Sequence, residues 1–314
     1  MLVPYNATFT PEQIKHFDAI KEVLVTIEPK VAELVADHRR NTKRWYPHEV
    51  LPWGMGRDFV EDPWSIQDCK LRPEVVLALD TNLLTEDNLP YYHAQIEQML
   101  GKEVGIWREW NRLWTAEEAK HAETMRDYLY LVRAMDPKLM EDNRFQMMET
   151  GFDRHFGDPL EIFTYTAAQE LATRVSHLRT GQKADEPMAL RLMTIIARDE
   201  NFHHIFYRGV VKHALDIAPE LTLQALVNQL YDFEMPGKGL SNFEFRQQTI
   251  ANAGIYGARE HRDMIIMPLI KFWDIEHLTG LTPAGRKNQE RLLKLEKLLT
   301  RMVERQDRSD KKSE

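Results

Sequence analysis

Residues 114–121 read WTAEEAKH and residues 197–204 read ARDENFHH. Each stretch carries a Glu with a His three residues on: Glu118 with His121, and Glu200 with His203. Around the first pair, Trp107, Trp110, Trp114, Met125, Tyr128 and Val132 recur at steps of three and four. Around the second, Met193, Ile196, Tyr207, Val210 and Ala214 do the same. That step is helical, and residues three apart on a helix share a face. Both pairs therefore sit where an amphipathic helix wants an apolar side chain, and both point inward. An isolated charge in such a place costs on the order of several kcal/mol. Something must neutralise it, and a metal ion is the simplest candidate.

Two neighbouring stretches repeat the anomaly with one acid each. Val76, Leu79, Leu83, Glu86, Leu89, His93 and Ile96 form one seam; Phe163, Ala167, Glu170, Thr173 and His177 form the other. The chain thus reads Glu86, then Glu118-x-x-His121 after 32 residues, and Glu170, then Glu200-x-x-His203 after 30. With 29 Glu and 12 His in 314 residues, chance predicts roughly one Glu-x-x-His, so a lone motif means an exposed ion pair. The specificity lies in the conjunction of seam position, a preceding in-seam Glu and matched spacing. A four-helix bundle with this ligand set is the di-iron or di-manganese carboxylate arrangement.

The rest of the chain fits an all-α reading. There are 14 Gly and 15 Pro, and apolar residues recur at three and four rather than at two. The spacing predicts helices over residues 11–39, 73–100, 102–135, 159–180, 186–217, 244–270 and 283–304. Residues 45–72 read as irregular. Pro29 is expected to kink or split the first helix. Gly101, Asp136-Pro137, Gly157-Asp158-Pro159, Gly181, Pro219 and the MPGKG of 235–239 read as breaks, and the polar end QDRSDKKSE as frayed. Pro90, four residues after Glu86, marks either a local kink or a helix joint. Without a Gly/Ser linker or short repeat, one packed domain is expected.

Composition excludes several classes. A net charge of −8 disfavours general nucleic-acid binding. The single Cys69 allows neither an internal disulfide nor a cysteine zinc site. No run approaches 18 apolar residues, so no membrane span is expected. The start MLVPYNATFTPEQ lacks a basic segment followed by an apolar one, so a cytoplasmic chain is expected.

Residues flanking the pairs suit supporting roles. A metal-bound His donates its other ring N–H to a carboxylate or carbonyl. Asp199 is expected to orient His121, and Glu117 to orient His203, across the bundle; two solvent-facing acids are the alternative. Thr173 either brings a hydroxyl to the centre or bonds its own helix backbone.

On TEDNLP (85–90), WTAEEAKH (114–121), AAQELATRVSH (167–177), ARDENFHH (197–204) and WYPHEVLP (45–52), the chain resembles the soluble acyl-acyl-carrier-protein desaturases of plant plastids and actinobacteria. The similarity runs from about residue 11 to 285. It implies a ferritin-like fold whose four-helix core is extended by further helices. Residues 1–285 would be the di-iron domain, and 286–314 a charged C-terminal helix and tail. It implies two iron ions held by Glu86, Glu118, His121, Glu170, Glu200 and His203. Asp199 matches the family's second-sphere acid, Trp45 a tryptophan on its proposed electron path, and Thr173 a threonine beside the oxygen site. The partners implied are acyl-carrier protein bearing the fatty acyl chain, ferredoxin as electron donor and a second copy in a homodimer.

Where the family often has Glu-Glu-Asn-Arg-His-Gly, this chain has Glu117 to Ala122 with Lys120 in place of Arg, which loses a fixed guanidinium fork. Phe202 and His204 stand where charged residues are common. Arg39, Arg40, Lys43 and Arg44 form the densest basic run, either a dock for the acidic carrier or a solvated helix end. Met99 matches the far end of the acyl slot by resemblance.

An unactivated C–H bond lies beyond any side-chain acid or base, so a cofactor must carry the chemistry. A radical-generating reductase subunit shares the ligand set but wants a Tyr where Met125 stands. A di-iron hydroxylase, a ferritin-type iron store and a non-catalytic scaffold for acylated carrier protein remain alternatives.

Overall fold

A computed structural model describes residues 9–100, 105–152, 154–234, 237, 240 and 242–313. Among them there is no strand. The helices are α1 (Pro11–Asn41), α2 (Pro47–Val50), α3 (Pro73–Glu86), α4 (Leu89–Leu100), α5 (Ile106–Leu131), α6 (Pro137–Thr150) and α7 (Pro159–Ala184). They continue with α8 (Pro187–Ile217), α9 (Pro219–Tyr231), α10 (Phe243–Asn252), α11 (Ala258–Glu260), α12 (Met267–Phe272) and α13 (Pro283–Ser313). Eight of these open on a proline, because the first helical position needs no N–H and favours the ring's φ. Side chains cap several of the starts. Thr10 and Gln13 exchange a reciprocal pair of hydrogen bonds at α1, and Asp158 accepts from the Leu160 and Glu161 amides at α7.

The bundle consists of α3–α4, α5, α7 and α8, with α1 packed along α8 and α5. Two apolar clusters fill it. One contains Trp107, Trp110 and Trp114 of α5 with Phe206, Tyr207 and Val210 of α8. The other contains Met125, Tyr128 and Leu129 of α5 with Leu192, Met193 and Ile196 of α8. Residues 118–121 of α5 and 199–204 of α8 fall between them, so the anomalous acids form a polar layer sandwiched by dry packing.

Several expectations change. Pro29 does not split α1. It lies on the solvent side beside exposed Val25, where water can satisfy the carbonyl that lacks a partner. The stretch 73–100 is two helices, jointed at Asp87 and Asn88 just after Glu86. Gly181 does not end α7: a Cβ there would stand 2.8 Å from Met193 Cβ, so the glycine allows α8 to approach. Asp136-Pro137 is the cap and first residue of α6, a helix the spacing did not reveal because only Met140 and Met147 are buried on it. The stretch 244–270 breaks at Gly254, whose φ is 68°, and contains a π-helical turn over His261–Ile266 just before Pro268. The C-terminal helix continues through Ser313 rather than fraying after 304, and Leu292, Leu295 and Leu299 join the first apolar cluster. The expected break at Gly101, and most of 235–239, lie outside the described residues.

Candidate metal centre

The C-terminal end of α3 and the mid-levels of α5, α7 and α8 bring together all six ligand candidates. Oxygen and nitrogen atoms of Glu86, Glu118, His121 and Glu200 lie within 4.8 Å of one another, as do those of Glu118, Glu170, Glu200 and His203. The two groups share Glu118 and Glu200. All six side chains are buried, Glu170, His121 and His203 completely.

The inward atoms do not satisfy each other. Glu118 Oε1, Glu170 Oε2, Glu200 Oε1, His121 Nδ1 and His203 Nδ1 have no hydrogen-bond partner. His203 Nδ1 is 2.6 Å from Glu118 Oε1, yet the pair lacks hydrogen-bond geometry. His121 Nδ1 stands 3.2 Å from Glu200 Oε1 and 3.3 Å from Glu118 Oε2. Orphaned buried polar atoms demand an explanation. Convergent bare lone pairs with surplus negative charge fit cations between them.

The charge imbalance shows in the acids. Burial, then the charges of Glu200 and Glu118, push Glu170 well above the carboxylate range. Burial and Glu200 likewise raise Glu118. In Glu200, burial is outweighed by the neighbouring His121 and His177 rings, which hold it low. The imidazoles respond in kind: burial pulls His121 and His203 down, but the Glu118 carboxylate lifts both well above their ordinary value.

The supporting residues lie on the outer side of each imidazole. His203 Nε2 is 3.0 Å from Glu117 Oε2. His121 Nε2 is 3.5 Å from Asp199 Oδ2. The Trp45 indole N–H donates to the same Asp199 oxygen at 2.6 Å, and its ring stacks on His121 with centroids 6.4 Å apart. Lys120 sits 4.7 Å above the Trp45 ring. Burial raises Asp199, but the nearby His121 imidazole and the Trp45 hydrogen bond outweigh that and keep its carboxyl low. Thr173 Oγ1 lies 3.1 Å from Glu200 Oε2 and also 3.1 Å from the Glu170 carbonyl. Its single proton serves one of these at a time.

Three residues near the centre had no role in the sequence reading. His177 Nε2 is 2.9 Å from Glu86 Oε1. The Trp114 indole donates to Glu170 Oε1 at 3.2 Å. His38 of α1 is 2.9 Å from Glu117 Oε2. His177 and Trp114 lie on the quoted seams, so a polar atom at a buried position was the available signal. His38 follows Val31 and Val35 on α1's buried face in the same way.

A narrow cavity of about 20 Å³ adjoins the centre, lined by Tyr92, Ile96, Trp114, Phe152, Phe156 and Ile162 among others. Trp114 is thus both a wall of this cavity and a partner of Glu170. Met99 packs against the first apolar cluster and is not one of the lining residues.

A helical bundle with four carboxylates and two imidazoles facing each other in its dry interior defines a ferritin-like protein built around a carboxylate centre. The chain belongs to the fatty acid desaturase family, whose model it matches over residues 19–314. It is 36% identical to a putative acyl-[acyl-carrier-protein] desaturase, DesA1, of Mycobacterium tuberculosis, over 86% of this chain and 83% of that one. It is 32% identical to the chloroplastic stearoyl-[acyl-carrier-protein] 9-desaturase of Olea europaea, over 86% of this chain and 74% of that one. Among solved structures, the putative acyl-ACP desaturase DesA2 of Mycobacterium tuberculosis H37Rv superposes with a TM-score of 0.69 at 25% identity, covering 85% of this chain and 99% of that one. The family is one of oxidoreductases. No helix among the described residues is long and apolar enough to cross a membrane.

Proposed function

We propose that the centre holds two iron ions and that the protein desaturates a saturated acyl chain carried on acyl-carrier protein, using O2 and electrons from ferredoxin. The observation that carries this reading is the pair of buried ligand groups sharing Glu118 and Glu200. Glu86 and His121 would complete one position, and Glu170 and His203 the other. When bound, such a pair supplies the O2-dependent oxidation that unactivated C–H bonds require.

This chain's own residues hold and shield that chemistry. Asp199 and Glu117 fix the outer nitrogens of His121 and His203, so the inner nitrogens face the centre as bare acceptors. Trp45 ties Asp199 to the segment leading from α1 and is our candidate for the electron route. Thr173 offers a hydroxyl beside Glu200. The apolar layers above and below exclude water. The cavity along Trp114 is the candidate entry for the acyl chain. At about 20 Å³ it has room for roughly one water, so an alkyl chain enters only as rings such as Tyr92 and Phe152 move. Arg39, Arg40, Lys43 and Arg44 are the candidate dock for the acidic carrier. Exposed Phe145 of α6 and Phe245 of α10, on helices that both pack on α3, support a homodimer. A cytoplasmic location accords with this reading.

The test has two stages. Metal content is measured after anaerobic ferrous loading and desalting, beside a Glu118→Ala, Glu200→Ala variant. The expected outcome is close to two irons per chain in the parent and few in the variant. A folded parent that retains none sinks the reading. The loaded protein is then given acylated carrier protein, O2 and reduced ferredoxin. A product two hydrogens lighter supports desaturation; one that gains an oxygen means a hydroxylase instead.

A further inference from the structure

We propose that His38 is the positioning residue for the His203 half of the centre, acting through Glu117 as Trp45 acts on His121 through Asp199. The inference rests on the two-metal reading above.

The geometry is specific. His38 ends the buried stripe of α1 and is 5% exposed. Its Nε2 lies 2.9 Å from Glu117 Oε2, and the same oxygen lies 3.0 Å from His203 Nε2. An ionised carboxylate only accepts, so both Nε2 atoms carry the hydrogen. In the neutral ring that ligation requires, the His203 Nδ1 is then the bare nitrogen, turned toward Glu118 and Glu170. The His38 ring also stacks on the His203 ring at 5.8 Å and 18°, and Trp110 meets it edge-on at 5.0 Å. One side chain therefore fixes both the carboxylate that orients His203 and the plane of His203 itself.

Trp45 stands in the same relation to the other half, with an N–H to Asp199 at 2.6 Å and a stack on His121 at 6.4 Å and 4°. The duplication of the ligands thus extends one layer outward, to two donors seven residues apart in the chain. The two layers differ in redundancy. Asp199 also has Lys120 at 3.8 Å and Arg198 at 3.7 Å. Glu117 has only the two imidazoles as ion-pair partners among the described residues. Without His38 it keeps a single hydrogen bond.

The test is Co(II) titration of the metal-free full chain, followed by absorbance, with thermal melting alongside. The parent is expected to bind two equivalents. In His38→Ala one equivalent keeps the parent affinity and the other weakens roughly 10–100-fold, the loss expected when Glu117, the outer partner of the metal-bound His203, is released from its anchor. The weakened equivalent is the one also lost in Glu170→Gln, whose carboxylate belongs to the His203 group alone. His38→Gln, which returns an N–H near the Nε2 position, recovers most of the affinity. Two equivalents bound as tightly in His38→Ala as in the parent overturn the inference. Equal weakening of both equivalents, unrescued by His38→Gln, also overturns it, since that marks a general packing role. Should His38→Ala fail to fold, His38→Met against His38→Gln decides, and equal affinities in those two overturn it. A parent that binds no Co(II) refutes the two-metal reading itself, a distinguishable failure.

Discussion

The two halves of the centre share a plan and differ in what secures it. In the His203 half, two short hydrogen bonds to one Glu117 oxygen run from α8 to α1. In the His121 half, the link to Asp199 is longer, 3.5 Å, but Trp45, Lys120 and Arg198 surround that acid. One half is held by directed bonds with no spare, the other by a cluster of charges with several. A duplicated ligand set therefore need not give two equivalent positions, because the outer layer is drawn from α1 and the segment after it, which are not duplicated.

The largest effects should come from the residues that belong to both halves. Glu118→Gln and Glu200→Gln each remove a carboxylate common to the two groups, and should reduce retained metal to near zero. Glu86→Gln and Glu170→Gln each damage one group and should leave about one ion per chain, as expected of a four-carboxylate, two-histidine site. Metal analysis after desalting separates these classes. If all four variants lose metal equally, the division into halves fails. Of these, Glu118→Gln and Glu170→Gln should also raise the melting temperature of the metal-free protein, because burial and their neighbours' charge oppose ionisation of these two acids. Stability gained at the expense of function is the mark of a strained site.

Trp45→Phe probes the redundancy of the His121 half. The ring stack survives and the indole N–H is lost. With Lys120 and Arg198 still beside Asp199, the expected weakening of the His121-side metal is at the low end, about tenfold. Co(II) titration reads it directly. A larger loss than in His38→Ala would reverse the ranking and make the Trp45 hydrogen bond, rather than the surrounding cations, the main support of Asp199.

How much of this was legible follows from what kind of signal each residue carries. Glu118, His121, Glu200 and His203 announce themselves because a charged side chain interrupts a seam with a strong period, and burial sets that period locally. The joint after Glu86 was visible in part through Pro90. Gly181 misled because its local meaning, a helix breaker, is overruled by a tertiary one, the approach of Met193 within 2.8 Å of where a Cβ would stand. Helix α6 was hidden because two buried methionines make a weak stripe, although Asp136-Pro137 is a sound helix start. His38 was hidden differently. Its position on the α1 stripe was readable, but its partner Glu117 is 79 residues away in the chain, and nothing in sequence spacing announces a contact between α1 and α5.

The smallest expected effect contrasts the imidazoles of the centre with those outside it. Burial pulls His177 down, but the Glu200 carboxylate nearby and the hydrogen bond to Glu86 outweigh it and raise the ring to about 9. His261, half-buried against Phe233 and 3.0 Å from the Tyr256 hydroxyl, is lowered by burial to about 4. The signs are opposite. In the metal-free protein, His177 contributes stability that is present below its unfolded value near 6.5 and lost as pH rises toward 9. His261 contributes stability that is present above 6.5 and lost as pH falls toward 4, because the unfolded chain then binds the extra proton. Discounted for partial exposure, its share is on the order of 1–2 kcal/mol. Melting temperature against pH for the parent and His261→Phe tests this. The variant should lose less stability than the parent between pH 6.5 and 4; His204, which burial lowers in the same way, and the depressed carboxyls such as Glu117 contribute to the remaining slope. Two curves of identical slope would show that His261 binds its proton equally well in the folded and unfolded chain, so that burial does not lower it.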